Sequence, residues 1–463
     1  MMVPRPRLIV LTALVLLPAT LAAALAAPLT PVAWAAAVAL LLAAGLDAAS
    51  GGRRFAGLEV TAPEIVRLTV DQPARVQLYL RKPGPLDLEL QVGLALPEAL
   101  VSEAPVQRLH LSAGQERLAL GWPCRALRRG RYSLTACHIE LPSRWGLWGV
   151  RRRFALGSEV RAYPNLVAGQ QSILGLFSRR EWGWRTMRKV GKGREFEQLR
   201  EYLPGDSYED VDWKATARRN APVTRVYQVE QSQEIYVVLD ASRLSTRSAE
   251  FGRDRRRRDR SGARPEFQTG PTALESTIFE RYVTAALVMA LAADRAGDRF
   301  GLVIFGARPD CVLKAGRGRA HYNACREALY NRMPQMVSPD FDELFSFLGT
   351  HLRKRALLLF LTNLDDPLMA EGFVNALRAC ARQHVVRVNM FRPAGAYPLF
   401  SSPDVHSAQG IYEHLAGHMA WSALSDTGRR LRQCGAELAL LDKEQLCSQL
   451  IGQYMEIKQR QLL

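Results

Sequence analysis

An aspartate and a serine close an apolar run, Ile235-Tyr-Val-Val-Leu-Asp240-Ala-Ser242. A second apolar run, Ala356-Leu-Leu-Leu-Phe-Leu-Thr362, gives way to Asn363-Leu-Asp365-Asp366, and between the two Ser338 and Asp340 open a helical pattern. Hydroxyls and a few carboxylates converging on one rim suit a hard divalent cation such as Mg2+, which takes oxygen ligands and keeps several waters. A carboxylate from a visiting partner would complete such a shell, which makes a docking device rather than a reaction centre. The other concentration of carboxylates is Asp206, Asp210 and Asp212, within Gly205-Asp-Ser-Tyr-Glu-Asp-Val-Asp-Trp-Lys214. These could serve phosphoryl or hydrolytic chemistry. A structural account competes with that reading. Asp206 or Ser207 would cap a short helix whose Trp213 reads as buried, with Ser207 and Asp210 loosely forming a capping box. Glu209, Asp210 and Asp212 then lie early and Lys214, Arg218 and Arg219 late, as the helix dipole favours, and Asp210 stands four residues from Lys214. The chain has no phosphate loop of Walker spacing, no HExxH and no nucleophile elbow. Its one tight histidine pair, His414 and His418, has no third ligand nearby in sequence and reads as a surface pair.

The elements that would carry the rim oxygens alternate between strand and helix from about Glu234 onward. Strands are predicted at 235–240, 299–306, 356–362, 385–390 and 437–441. Helices are predicted at 274–296, near 321–333 and 341–352, at 368–382 and 412–432, and from Lys443. Such alternation builds a parallel sheet covered on both faces, a doubly wound α/β domain, and ligands in such folds sit beyond the carboxyl ends of the strands. That rule points to the loops after Leu239 and Leu361. From about Phe55 to Tyr163 the pattern changes to short alternating runs such as Val76-Gln-Leu-Tyr-Leu80 and Leu88-Glu-Leu-Gln-Val92, broken by Pro and Gly. This predicts an antiparallel β-sandwich that clusters no ionisable groups as a catalytic site would.

The first fifty residues are membrane material. Leu8 to Ala26 carries no charge and would span about 28 Å as a helix; Leu29 to Leu46 does nearly the same. A cleaved signal peptide is the rival, because Ala24-Leu25-Ala26 resembles a cleavage site, but the apolar core is longer than signal peptides need and a second segment follows at once. Arg5 and Arg7 flank one end, Arg53 and Arg54 the other, and the connection carries no basic residue. The positive-inside rule therefore places both ends in the cytoplasm, as expected of a multi-pass inner-membrane protein. Seven scattered cysteines without a CxxC pair suggest neither a disulfide framework nor a zinc site. The formal charge of +17 is swollen by Arg253, Arg255, Arg256, Arg257, Arg258 and Arg260, which read as a solvated insertion near 246–272. Without interleaved aromatics or a binding fold, that run does not indicate nucleic acid. Arg179 to Lys189 mixes basic residues with Trp182 and Trp184, which would sit on headgroups or pack on a neighbouring domain.

The string Arg200-Glu-Tyr202-Leu-Pro204-Gly205-Asp206, followed by Asp212-Trp213-Lys214-Ala-Thr-Ala217-Arg218, resembles the signature of the family called domain of unknown function 58. Asp240-x-Ser242 with its strand pattern resembles a von Willebrand factor A domain. The resemblance implies four parts: a transmembrane hairpin over 1–54, a β-sandwich-like spacer over 55–165, a connecting signature block over 166–233, and an A-like α/β domain over 234–463. It further implies an anchored cytoplasmic protein whose relatives tend to be encoded beside MoxR-type AAA+ ATPases. The leading expectation is a membrane-tethered, non-enzymatic docking scaffold, an adaptor for such an ATPase in protein assembly or remodelling. A hydrolytic enzyme using the acidic block, or a polyanion-binding membrane protein, is the alternative. The metal set carried over is Asp240, Ser242, Ser338, Asn363 and Asp365. It departs from the A-domain pattern, because Leu244 stands where a second serine is usual and Asn363 where an aspartate is. Losing a hydroxyl and a carboxylate leaves the ligand set for Mg2+ incomplete.

Overall fold

The computed structural model describes residues 1–25, 30–82, 88–112, 116–167, 190–203, 208, 211–219, 221–228, 233–247, 277–393, 395–399, 401, 408–442 and 445–460. It divides into two units, Met1–Asn165 with Tyr330–Arg332, and Leu166–Leu329 with Met333–Leu463. The arginine-rich insertion, the segment with Trp182 and Trp184, and Pro204, Gly205, Asp206, Ser207, Glu209 and Asp210 lie outside the described residues.

In the first unit a short strand, β1 (Met2–Pro4), precedes two helices, α1 (Pro6–Leu25) and α2 (Thr30–Gly51). Both helices are long and apolar enough to cross a membrane. Leu14, Leu17, Leu21, Trp34, Leu41 and Leu42 all lie exposed along them, the surface that lipid rather than water would cover. Then come β2 (Glu59–Thr61), β3 (Ile65–Thr69), β4 (Pro73–Arg81), β5 (Leu88–Leu94), β6 (Leu100–Val101), β7 (Gln107–Leu111), β8 (Arg117–Ala126), β9 (Gly130–Pro142) and β10 (Trp148–Tyr163). One sheet runs β1-β10-β9-β5-β7 with β3 also on β10; the other runs β2-β4-β8-β6. Period-two alternation explains the packing: Val76, Leu78 and Leu80 of β4 and Trp122 and Cys124 of β8 meet Leu90, Val92, Leu134 and Ile139 in one core. Two features depart from the sequence reading. The pairing of β3 with β10 is parallel, so the sandwich is not purely antiparallel, and the residues before the first apolar helix form a strand. Met2, Val3 and Pro4 pair with Val150, Gly149 and Trp148.

The second unit opens with β11 (Val190–Glu201), α3 (Trp213–Arg219) and β12 (Val223–Gln228), where β11 and β12 form an antiparallel ribbon. The α/β part follows in the order β13 (Glu234–Asp240), α4 (Ile278–Arg295), β14 (Arg299–Phe305), β15 (Pro309–Gly316), α5 (Gly318–Tyr330) and α6 (Phe341–His351). It continues with β16 (Leu357–Leu361), α7 (Pro367–Gln383), β17 (Val385–Phe391), α8 (Ala408–Gln433), β18 (Ala436–Leu441) and α9 (Leu446–Gln459). Strand order is β15-β14-β13-β16-β17-β18, parallel throughout except for β15 at one edge. The alternation of β13 shows both faces covered: Ile235, Val237 and Leu239 pack with α4 and α9, while Tyr236 and Val238 pack with α6, α7 and α8. Strand β15 was not expected. Its residues are only half-buried, as befits an edge, and its backbone is held in part by the Tyr236 hydroxyl, which accepts from Ala315 N at 3.1 Å. From β13 the chain steps to β14 on one side and later to β16 on the other, so the order reverses between β13 and β16. The loops after Asp240 and Leu361 flank that switch point, where open α/β sheets build their sites.

Candidate functional site

Register brings the central pair together. Leu239 lies opposite Leu361 in the parallel β13–β16 ladder, so the next residues, Asp240 and Thr362, face one another. Thr362 Oγ1 donates to Asp240 Oδ2 at 2.5 Å, and Ser242 N donates to Asp240 Oδ1 at 2.8 Å. Ser242 caps a single 3-10 turn, Arg243–Ser245, by accepting from Leu244 N at 3.3 Å. Asn363 is fixed from two sides. Its Nδ2 donates to Leu244 O at 3.2 Å, and its Oδ1 lies 3.3 Å from the hydroxyl of Tyr282, a ring stacked on Phe391. Asp240, Ser242, Ser245 and Thr362 are fully buried and Asn363 nearly so. Burial raises the Asp240 carboxyl above the usual range against the opposing pull of its hydrogen bonds from Ser242 and Thr362. The Tyr282 hydroxyl is pushed well up, first by burial and then by the charge of Asp240.

The other two predicted ligands are held by arginines. Ser338 Oγ accepts from Arg243 Nε at 3.1 Å, and Asp365 is paired with Arg247. Two guanidinium groups thus occupy the oxygens that would have to turn toward a cation. Ser245 Oγ and Asp365 Oδ1 are buried without a hydrogen-bond partner, yet they add only one carboxylate oxygen, already beside an arginine. Asp240 has both its oxygens engaged. Among the described residues no group of three or more His, Cys, Asp or Glu could hold a metal. The residues present do not fit a resident Mg2+, which needs near-octahedral oxygens with solvent-facing positions. The expected rim of exposed oxygens is therefore corrected: Asp240, Ser242 and Asn363 are sealed under their own chain, while Ser338 is exposed and Asp365 half-buried, each held by an arginine. The sequence reading omitted Thr362 and Tyr282 from the site. Aligning the ends of the two apolar strands would have found the threonine; nothing in the sequence marks the tyrosine.

The signature block also differs from expectation. Asp212 starts the helix Trp213–Arg219, with its Oδ1 accepting from Ala215 N at 3.0 Å and its carbonyl from Thr216 N at 2.9 Å, while Asp206 and Ser207, the expected caps, lie outside the described residues. Val211, Val223 and Thr224 are the buried residues here, whereas Trp213 is 66 % exposed and Tyr208 75 %. Leu203, Glu201, Lys214, Ala217 and Arg218 are exposed as well, and Tyr202, half-buried, lies with its ring 5.9 Å from that of Tyr208. Arg200 reaches Glu201 O at 3.3 Å. His418 accepts from Leu399 N at 3.1 Å and stacks on Trp421, which accounts for that half of the histidine pair.

Residues 198–264 and 259–396 match the family described as protein of unknown function DUF58. The match spans the signature block and the sheet as far as the loop after β17. An uncharacterized protein of Mycobacterium tuberculosis (strain ATCC 25618 / H37Rv), Rv1480, is 24% identical over 270 residues, covering 54% of this chain and 75% of its own length. An uncharacterized protein of Mycobacterium bovis, Mb1516, matches to the same extent. Among solved structures, the chain is similar to the conserved hypothetical protein BatB from Bacteroides thetaiotaomicron, with TM-score 0.30 and 14% identity over 50% of this chain and 100% of that one. It is also similar to an aerotolerance-related membrane protein from Bacteroides fragilis carrying multiple mutations to serines, with TM-score 0.28 and 14% identity over 49% of this chain and 99% of that one. By length and composition, the two apolar helices are candidate membrane spans.

Proposed function

We propose that this chain is a membrane-anchored, non-enzymatic docking protein whose six-stranded unit is an A-type domain that has given up its metal. One observation carries the reading: among the described residues of the family-matching segment, the two aspartates best placed for chemistry, Asp212 and Asp240, are engaged structurally while aromatic and basic side chains stand in solvent. Asp212 caps a helix and Asp240 is buried, but Tyr208, Trp213, Lys214 and Arg218 are exposed. Trp, Tyr and Arg are the residues that anchor protein interfaces. A catalytic site would instead need ionisable groups that reach a substrate.

The partner proposed is an AAA+ ATPase of the MoxR type, suggested by the family resemblance, and no metal mediates its capture. The hairpin is read as two crossings in the inner membrane with both soluble units in the cytoplasm, supported by the arginines that flank its ends. In a pull-down of the purified ATPase by the full chain, Trp213→Ala should weaken capture at least tenfold, while EDTA should leave it unchanged. Loss of capture in EDTA would restore the metal. Robust turnover of generic phosphatase or peptidase substrates, abolished by Asp212→Asn, would replace docking with hydrolysis.

A further inference from the structure

The base of the helical hairpin is built into the sandwich by the turn between β9 and β10. Asp47, in the penultimate turn of α2, is 1% exposed and accepts from Ser143 Oγ at 2.5 Å, Trp145 N at 2.8 Å and Leu147 N at 3.1 Å. Trp148 Nε1 donates to Ala44 O at 2.9 Å, and Arg5 N donates to Leu147 O at 2.9 Å. Leu147 packs with Leu8 and Ala44. Gly51 has no room for a side chain, because a Cβ there would lie 2.4 Å from Val150. The turn therefore rises along the hairpin as far as Ala44 and Leu8. Above it, among the described residues, 30–43 of α2 and 9–25 of α1 stand clear of the turn. At 1.5 Å per residue these reach about 21 Å and about 25 Å, short of a hydrocarbon layer of about 30 Å.

The outer surface of this turn has a definite chemistry. Trp145 is 51% exposed, Arg144 and Arg7 are exposed, and the Arg7 guanidinium lies over Gly146. The nearby carboxylates are already occupied, Asp47 by the turn itself and Glu140 by Arg151. An aromatic ring with unopposed basic groups, at the level where the apolar helices begin, matches the lipid interface, where Trp sits among headgroups and basic residues attract anionic lipid. We propose that the turn Ser143–Trp148 is a collar immersed in the headgroup layer, where Trp145 anchors it and Arg7 and Arg144 bind the phosphates of anionic phospholipid. Immersion also suits the length of the described helices, because it sinks the hairpin base into the interface. This rests on the hairpin entering a membrane.

The test uses the full chain in nanodiscs of phosphatidylcholine and phosphatidylglycerol carrying bromine either near the headgroup or near the chain ends. The fluorescence lost in Trp145→Phe isolates the signal of Trp145; the backbone hydrogen bond to Asp47 survives that change. It should be quenched by the shallow bromines and hardly by the deep ones. Trp34, isolated in the same way with Trp34→Phe, lies 13 residues up the helix from Asp47, about 20 Å deeper. Quenching of Trp34 without Trp145 overturns the collar; quenching of neither overturns membrane entry itself. In native mass spectrometry, Arg7→Gln and Arg144→Gln should each lower retained phosphatidylglycerol relative to phosphatidylcholine by about fivefold, as about 1 kcal/mol per basic residue implies. Unchanged retention overturns the assignment to anionic headgroups.

Discussion

Asp240 has no exposed surface, and its carboxylate is held by a threonine hydroxyl and a backbone amide, with burial raising its affinity for a proton. An acid whose pKa is raised on folding contributes most to stability below its unfolded pKa and loses that contribution as pH rises through the folded value. Asp240→Asn, whose amide can accept from Ser242 N and donate to Thr362 Oγ1, should be at least as stable as wild type at pH 7. In urea unfolding its advantage should shrink toward pH 4. Thr362→Val should cost about 1–3 kcal/mol in the same measurement, because it strips a hydrogen bond from a buried acceptor. His384 behaves in the opposite sense. It is buried beside the start of β16, accepts from Ala356 N at 3.3 Å, and has its pKa lowered by burial and then by Arg355. Its contribution is present above the unfolded value near 6.5 and lost as pH falls below it. Replacing it by Asn should flatten the acid side of the stability curve between about pH 7 and pH 5.

At the scale of elements, α9 is tied to the end of α4 through one buried carboxylate. Asp298 accepts from Lys458 Nζ at 2.7 Å, from Gln233 N at 3.1 Å and from the Tyr454 hydroxyl, so it links the start of β14 to the last helix. Asp298→Ala should destabilise the protein by about 3 kcal/mol, as the loss of one partner from a buried pair does. Amide exchange should quicken first in Leu446–Gln459 if the helix opens as a local unit. Unchanged exchange there would mean that the apolar contacts of Leu450, Ile451 and Tyr454 hold the helix unaided. The strand pairs of β1 with β10 make a second tie, this time between the chain before α1 and the sheet after α2.

That pairing has a consequence for the whole molecule. A chain whose N-terminal strand joins the sandwich that follows the hairpin has both flanks of the hairpin on one side of any membrane it enters. In sealed vesicles, an N-terminal tag and a label at Tyr79→Cys, an exposed site on β4, should be reached from the same face. Opposite accessibility would mean that the β1 pairing does not form in the membrane-inserted protein. The two units are each built around their own cores, so the docking reading assigns the anchor to one and the exposed aromatic-basic surface to the other.

Hydrophobic periodicity alone determined a great deal. The apolar helices, the alternating strands of the sandwich and the strand–helix succession after Glu234 were legible because each pattern reports which faces must leave water. The seat of the site at the ends of β13 and β16 followed from the same logic. Strands β1 and β15 were not legible, being short or half-buried and defined by pairing rather than by their own apolar content. Only the tertiary structure decided the fate of the polar groups. Whether Asp365 faces a cation or Arg247, whether Asp240 meets solvent or Thr362, and whether Trp213 is core or surface depend on neighbours distant in sequence. A side chain's type fixes what it can bind, but burial and the nearest opposite charge fix what it does bind.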